Sequence, residues 1–330
     1  MNIRKKQYQI ISTLGPSVKN KIHDLIQAGT TGFRLNCSHI TQEELSRWLV
    51  ALERAFQVQG DAMPVWFDLQ GSKMRIGKLT KTLILQRGDI VTFRNGGRQT
   101  AKEIPLPHEA VFEIVEEGDL LLLNDGRIEL SVMEQGNGYF TAEAVTFGEL
   151  SSFKSFVMKK CSPELIKVSP RDQAFIEQTK QLKYVGYAIS YLQSAEELWL
   201  FKKIVNGRSI AAKIERKKAF ESLKEIADVS DILWLCRGDL GVGESIYDLF
   251  TYEKKFIDQM ASMNKPALIA GQVLENMVNL TTPSRSEVAH LGFLMESGFL
   301  GLVLSDETAI GKFPIQAVTF CSDYLEHMAL

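Results

Sequence analysis

Eight short apolar runs, most of them followed by a segment with helix signals, predict an α/β chain whose parallel strands close into a (β/α)8 TIM barrel. One interval, residues 70–155, differs in kind. It carries β-rich runs and glycine turns but no long 3.6-residue period, which predicts a small antiparallel β domain inserted after the third barrel strand. Length agrees, since 330 residues exceed by roughly 80 what a typical barrel needs. The expected division is therefore 1–69 and 156–330 for the barrel and 70–155 for the insert.

The barrel strands are read, in order, from Tyr8–Leu14, Gly32–Leu35, Val65–Leu69, Tyr184–Ile189, Ile210–Ile214, Ile232–Cys236, Ala267–Ala270 and Leu300–Leu304. Several are too short and too apolar to be exposed, as buried parallel strands are. Between them, Ser17 is expected to cap a helix over Lys21–Ala28 that Gly29 stops. Thr41 with Glu44 forms a capping box, and Ser169-Pro170 opens a helix over Arg171–Leu182. Pro283, Ser284 and Glu287 open another, ending at Gly298, and Pro314 begins the last, Ile315–Met328. Within the insert, the runs Thr82–Leu85, Asp89–Phe93, Asp119–Leu123, Ile128–Val132 and Tyr139–Ala142 read as strands. Asn95-Gly96-Gly97, Asp125-Gly126 and Asn137-Gly138 supply their turns. Trp199, Phe201 and Trp234 fall within helix and strand patterns and are expected in the core.

Composition narrows the partners. The apolar share of 45% and charged share of 24% are those of a globular protein. A net charge of −2 argues against coating nucleic acid or an anionic membrane, while leaving room for a local basic pocket. No apolar run approaches the 18 or so residues of a membrane span. Arg4, Lys5 and Lys6 are followed by no apolar signal core, so the expected compartment is cytoplasmic. Cys37, Cys161, Cys236 and Cys321 make no Cys-x-x-Cys pair and no metal spacing with histidine, as expected of free thiols.

In a barrel, chemistry sits at the C-terminal ends of strands. Strand 2 ends in Arg34-Leu35-Asn36-Cys37-Ser38-His39 and strand 3 in Asp68. Strand 5 ends in Lys213-Ile214-Glu215, strand 6 in Arg237-Gly238-Asp239, strand 7 in Ala270-Gly271-Gln272 and strand 8 in Ser305-Asp306-Glu307. Folding alone does not demand a polar rim, strand after strand. Carboxylates from neighbouring strand ends, Glu215 and Asp239, would repel unless a divalent cation joined them; all-oxygen ligation suits Mg²⁺ or Mn²⁺. Lys213 and Arg34 supply positive charge where a phosphoryl group would develop negative charge. The turn Gly238-Asp239-Leu240-Gly241 offers backbone N–H groups to a carboxylate or phosphate. Asp306 and Glu307 read as first-turn helix charges. His39 reads equally as a nucleotide contact or a satisfied loop histidine.

These rim residues, in this order, resemble the pyruvate kinase family. The resemblance runs through Ser12-Thr13-Leu14-Gly15-Pro16-Ser17, Ala28-Gly29, the Arg34–His39 segment, Asp68 with Gly71, and Asn124-Asp125-Gly126. It continues with Lys213-Ile214-Glu215, Arg237-Gly238-Asp239-Leu240-Gly241, Lys265-Pro266 and Gln272-Val273-Leu274-Glu275-Asn276-Met277. Pro283-Ser284-Arg285-Ser286-Glu287 and Leu304-Ser305-Asp306-Glu307-Thr308-Ala309 complete it.

The resemblance implies that the insert is the family's lid, a small β-barrel. It implies Mg²⁺-dependent phosphoryl transfer between phosphoenolpyruvate, or a substituted enol or keto acid, and a nucleoside diphosphate, ADP giving ATP. By the same resemblance Glu215 and Asp239 are metal ligands, and Lys213 and Arg34 neutralise the phosphoryl group. Gly238, Asp239, Arg34 and Ser190 bind the acid, while His39, Arg75 and Lys154 lie on the nucleotide side. Asn36, Ser38 and Asp68 match monovalent-cation ligands. A homo-oligomer is compatible with the resemblance. The sequence stops after the barrel's last helix, which implies that the family's C-terminal domain is missing.

Two departures carry expectations. After Asp68 the chain reads Leu69-Gln70-Gly71-Ser72-Lys73, similar to members that work without K⁺, with the Lys73 ammonium in place of the cation. After strand 7, Gly271 stands where the family has a threonine whose hydroxyl contacts the acid and helps protonate the enolate. Glycine there is expected to empty volume for a bulkier acid, and a gain of pyruvate kinase activity in Gly271→Thr would show that the lost hydroxyl is the limiting feature. Two alternatives stay open: metal-enolate decarboxylation or aldol cleavage of a 2-keto acid, and a catalytically impaired binding or regulatory paralogue.

Overall fold

The computed structural model describes residues 8–96, 102–160, 163, 167–243 and 246–328. Arg4, Lys5, Lys6, Gly97 and Cys161 lie outside the described residues. The chain divides into two compact units, one of 1–71, 166–238 and 249–330, the other of 72–165 and 239–248. The second unit thus takes in 239–248, a stretch that the sequence pattern assigns to the barrel.

The first unit is a closed, all-parallel barrel of eight strands. In chain order they are Gln9–Thr13, Gly32–Asn36, Val65–Leu69, Val185–Ile189, Ser209–Ile214, Ile232–Cys236, Ala267–Ala270 and Gly301–Leu304. Each pairs with its sequence neighbours, and the first pairs with the last in the register Ile11 to Val303, so no edge is left open. All eight runs named above are strands because each is a continuous apolar stretch that the barrel and its helices cover on both faces. Inside, Trp66 and Trp234 meet edge to face at 5.6 Å and are surrounded by Ala188, Ala211 and Ala270. Large rings on two strands demand small residues on the others. A Cβ at Gly186 would stand 2.6 Å from the Trp66 ring. Phe201 and Trp234 are core, as expected, but Trp199 is not: it sits on the outer face of its helix with about half its surface exposed.

Helix starts follow local chemistry. Thr41 and Glu44 close the capping box of helix Gln42–Gln59, and Ser284 and Glu287 do so for Arg285–Glu296. Ser169 accepts from Asp172 N at the start of Pro170–Thr179, which ends three residues before the expected Leu182. Ser17 is a correction: Pro16 opens a short 3-10 turn, Pro16–Val18, and Ser17 lies inside it. The following helix, Ile22–Gln27, starts at Lys21 without a side-chain cap, because a cap must directly precede the first helical residue.

The second unit carries a six-stranded sheet and a two-stranded one. The larger runs Phe156–Met158, Leu120–Leu123, Ile128–Gly136, Tyr139–Ala144, Ile90–Arg94, Glu103–Pro105; the smaller pairs Leu83–Leu85 with Gly148–Leu150. Asn137-Gly138 turns the hairpin in which Gly136 faces Tyr139. Stacked Phe93 and Phe140, 4.7 Å apart, centre its apolar core. The pairing is antiparallel except at one edge, where Glu103–Pro105 runs parallel to Ile90–Arg94, against the all-antiparallel expectation. Three residues ending in proline fit only such an edge, where a missing N–H leaves no ladder bond broken.

Candidate active site

At the C-terminal ends of strands 2 to 5, four charged side chains meet below the surface. Asp68 accepts from Arg34 Nε at 2.7 Å, lies 2.5 Å from Arg34 Nη2, and is 3.2 Å from Lys213 Nζ. Lys213 Nζ is also 3.4 Å from Glu215 Oε2. Two cations thus face two carboxylates, the balance that burial requires. Ser190, just past strand 4, bridges the pair: its Oγ accepts from Lys213 Nζ at 2.9 Å and donates to Asp68 Oδ1 at 2.9 Å. Arg34 Nη1 reaches Thr13 Oγ1 on strand 1 at 2.9 Å. Glu215 Oε1 accepts from the backbone N–H of Tyr191 at 2.7 Å. Tyr191 takes a left-handed φ of 61°, uncommon for a bulky residue, and Arg216 lies over its ring at 5.3 Å.

Electrostatics follow from that packing. Burial pushes the Asp68 carboxyl up, but the Lys213 ammonium and the Arg34 guanidinium outweigh it and hold it at about 2. Burial works against the Lys213 charge, yet Asp68 and Glu215 raise its pKa well beyond the usual lysine range. Cys37 and Cys236 are pushed up by burial and then by nearby carboxylates, so both are inert neutral thiols.

The other expected residues fall into separate places. Asn36 Oδ1 accepts from Ser38 N at 3.1 Å, and Arg171 Nη2 donates to the carbonyls of Cys37 and Ile40, tying down that loop. His39 is exposed on the same loop. In the second unit, Lys73 Nζ is 2.6 Å from Asp239 Oδ1 and 3.8 Å from Asp125 Oδ1, so its ammonium sits on a candidate metal ligand. Arg75 and Lys154 are brought side by side by the bridge between Arg75 and Ser155, and Ile76 N donates to Lys154 O.

The loop after strand 7 overturns the volume expectation. Gly271 has φ +84°, and a Cβ there would stand 2.8 Å from Gly238 N. Glycine is present because two backbones touch, not because a side chain left a space. A Gly271→Thr variant would have no room for its Cβ.

Further charged residues shape the rim in ways that residue type and spacing do not show. Glu307 does lie in a first helical turn, but it is fully buried and its carboxylate accepts from Leu274 N at 2.9 Å and Ser305 N at 2.7 Å. Burial raises its pKa against those bonds. Asp172 accepts from Gln70 N at 3.1 Å and Gly71 N at 3.0 Å, holding the turn after strand 3. Burial lifts its pKa to about 6, against the opposing pull of those N–H groups. Arg237, Glu253 and His290 form a contiguous network. Arg237 and Glu307 carried a signal as residues at strand ends, and Asp172 one as the acid three residues after the Ser169 cap; nothing local marks Glu253 or His290.

A metal fits the donor types. Glu215 in the first unit and Asp239 in the second each offer hard carboxylate oxygens, and among the described residues no three His, Cys, Asp or Glu side chains converge on one point. Mg²⁺ typically takes one or two carboxylates and completes its shell with water and substrate oxygens.

The family model for the pyruvate kinase barrel domain matches residues 5–318. The chain belongs to the pyruvate kinase family. Among curated relatives, a pyruvate kinase of Agrobacterium vitis is 33% identical over 331 residues, covering 97% of this chain and 68% of that protein. A pyruvate kinase of Thermococcus litoralis is 30% identical over 333 residues, covering 96% and 69%. The crystal structure of pyruvate kinase from Pyrobaculum aerophilum superposes with a TM-score of 0.84 at 26% identity, over 97% of this chain and 73% of that one. A pyruvate kinase from Cryptosporidium parvum shares the fold, with a TM-score of 0.86 at 24% identity, over 98% and 69%. Among the described residues of this family member, no helix is long and apolar enough to cross a membrane.

Proposed function

We propose that the chain transfers a phosphoryl group between phosphoenolpyruvate, or a substituted enol acid, and a nucleoside diphosphate, with Mg²⁺ and without K⁺. The observation that carries this reading is the buried cluster of Arg34, Asp68, Lys213 and Glu215 on the catalytic rim. Lys213 and Arg34 would face the transferring group, and their positive charge would offset what its oxygens gain in the transition state. Asp68 would keep both cations aimed, since it holds each by a short contact. Ser190 would fix the Lys213 ammonium and contact the acid. Glu215 and Asp239 would be the oxygen ligands of Mg²⁺, which when bound would neutralise phosphoryl and carboxylate oxygens. The backbone N–H groups of Gly238 and Asp239 would receive the substrate carboxylate; His39, Arg75 and Lys154 would serve the nucleotide. Activity without K⁺ rests on Lys73, whose ammonium contributes fixed positive charge beside Asp239.

Coupled turnover of phosphoenolpyruvate and ADP with Mg²⁺ tests the reading. ATP formation, undiminished when Na⁺ replaces K⁺, is the expected result. Loss of a 2-keto acid without ATP would select decarboxylation or aldol cleavage instead, and ligand binding without turnover would select a binding paralogue.

A further inference from the structure

The loop after strand 7 bends through two successive left-handed residues, Gly271 at φ +84° and Gln272 at φ +52°. That conformation is uncommon for a non-glycine residue and costs free energy that surrounding contacts must offset. Its support comes from Arg237, the residue directly after strand 6. Arg237 Nε and Nη2 donate to Gly271 O at 3.2 and 3.1 Å, and Nη2 donates to Gln272 O at 2.9 Å. The remaining nitrogen, Nη1, faces His290 Nδ1 at 2.9 Å and lies 3.6 Å from Glu253 Oε2. His290 Nε2 in turn is 2.7 Å from Glu253 Oε1.

A guanidinium only donates, so His290 Nδ1 must accept and the ring proton must sit on Nε2, donated to Glu253. Glu253 is buried on helix Leu249–Met263, and the His290 ring stacks on Phe293 within helix Arg285–Glu296. Three elements thus orient one planar group. That group, with the close approach of Gly271 to Gly238, joins the ends of strands 6 and 7.

We infer that Arg237, oriented by Glu253 and His290, is a positioning residue that holds the strand 7 loop in the shape needed to bind the acid substrate. The inference rests on the proposed reaction for the identity of the substrate, but the network itself does not. Glu253 and His290 both contact Arg237 and each other, so they act on the loop through it. Removing Glu253 leaves His290 free to move its proton to Nδ1, which turns an acceptor for Arg237 into a competitor donor. The loop carbonyls then lose their fixed partner.

The test combines three measurements on the full chain. Nitrogen-15 NMR of the histidine rings should show His290 protonated on Nε2 alone at neutral pH, identified by its loss in His290→Gln. Hydrogen exchange at residues 271–274 should speed up in Glu253→Ala and stay near wild type in Glu253→Gln, whose amide oxygen still accepts from Nε2. In turnover, Glu253→Ala should raise the KM for the acid on the order of 10-fold, leave the KM for ADP unchanged, and be rescued by Glu253→Gln. An Nδ1-protonated His290, or unchanged exchange at 271–274 in a folded Glu253→Ala, would overturn the inference. Ring tautomer and exchange need no turnover, so absence of ATP formation would sink the proposed reaction while leaving this network standing.

Discussion

The barrel rim is held together in two different ways. At strands 2 to 5, charged side chains meet each other: Arg34 and Lys213 grip Asp68, and Lys213 reaches Glu215. At strands 6 to 8, charged side chains instead hold main chain: Arg237 binds the carbonyls of Gly271 and Gln272, and Glu307 binds the N–H groups of Leu274 and Ser305. The first half gathers charge at the ends of rigid strands. The second uses its charges to shape a loop. A charge lost in the first should therefore remove chemistry and stability together, whereas a change in the second should act through loop shape.

The largest effect is expected at Lys213. A Lys213→Met variant leaves Asp68 and Glu215 with one cation, which should cost about 3–5 kcal/mol of stability in urea unfolding. Turnover should fall on the order of 10²-fold or more. A variant of normal stability would break the picture of a mutually dependent cluster. Next comes Gly271→Thr, in the other half. Its Cβ meets the Gly238 backbone and its φ is left-handed, so it should destabilise by about 1–3 kcal/mol and gain no activity. Increased ATP formation by this variant would show that the loop reshapes freely.

The smallest effect is a pH dependence. Asp68 is held at about 2, below its ordinary 3.8, so its ionised form stabilises the fold above roughly pH 4. That contribution disappears as pH falls through 2, because the unfolded chain takes up the proton first. Wild type should lose about 2 kcal/mol over this window that Asp68→Asn does not, measured as unfolding midpoints from pH 5 to 2. Parallel curves would place the Asp68 charge outside the stabilising cluster.

The two halves also differed in how far they could be read beforehand. Arg34, Asp68, Lys213 and Glu215 were legible because each lies beside the last residue of an apolar run, and a strand of known direction puts its last residues on the C-terminal rim. The capping boxes at Thr41 and Ser284 were legible for a similar reason: both partners lie within four residues. Glu253 and His290 were not, since each sits in an ordinary helix and acquires its role only from Arg237, a residue of another element. Trp199 misled because a helix pattern this short does not say which side faces the core. The parallel edge strand Glu103–Pro105 was too brief to stand out.

A change of period set residues 70–155 apart from the rest, and the eight apolar runs announced the barrel, because both signals are local and repeat along the chain. Family membership followed from ordered rim motifs of the same kind. Tertiary structure alone decided that Lys73 sits on Asp239, that Glu307 is buried beneath the strand 7 loop, and that Gly271 is glycine for want of room. Those facts depend on which distant backbones come within touching distance, and residue type and spacing along one strand do not contain that distance.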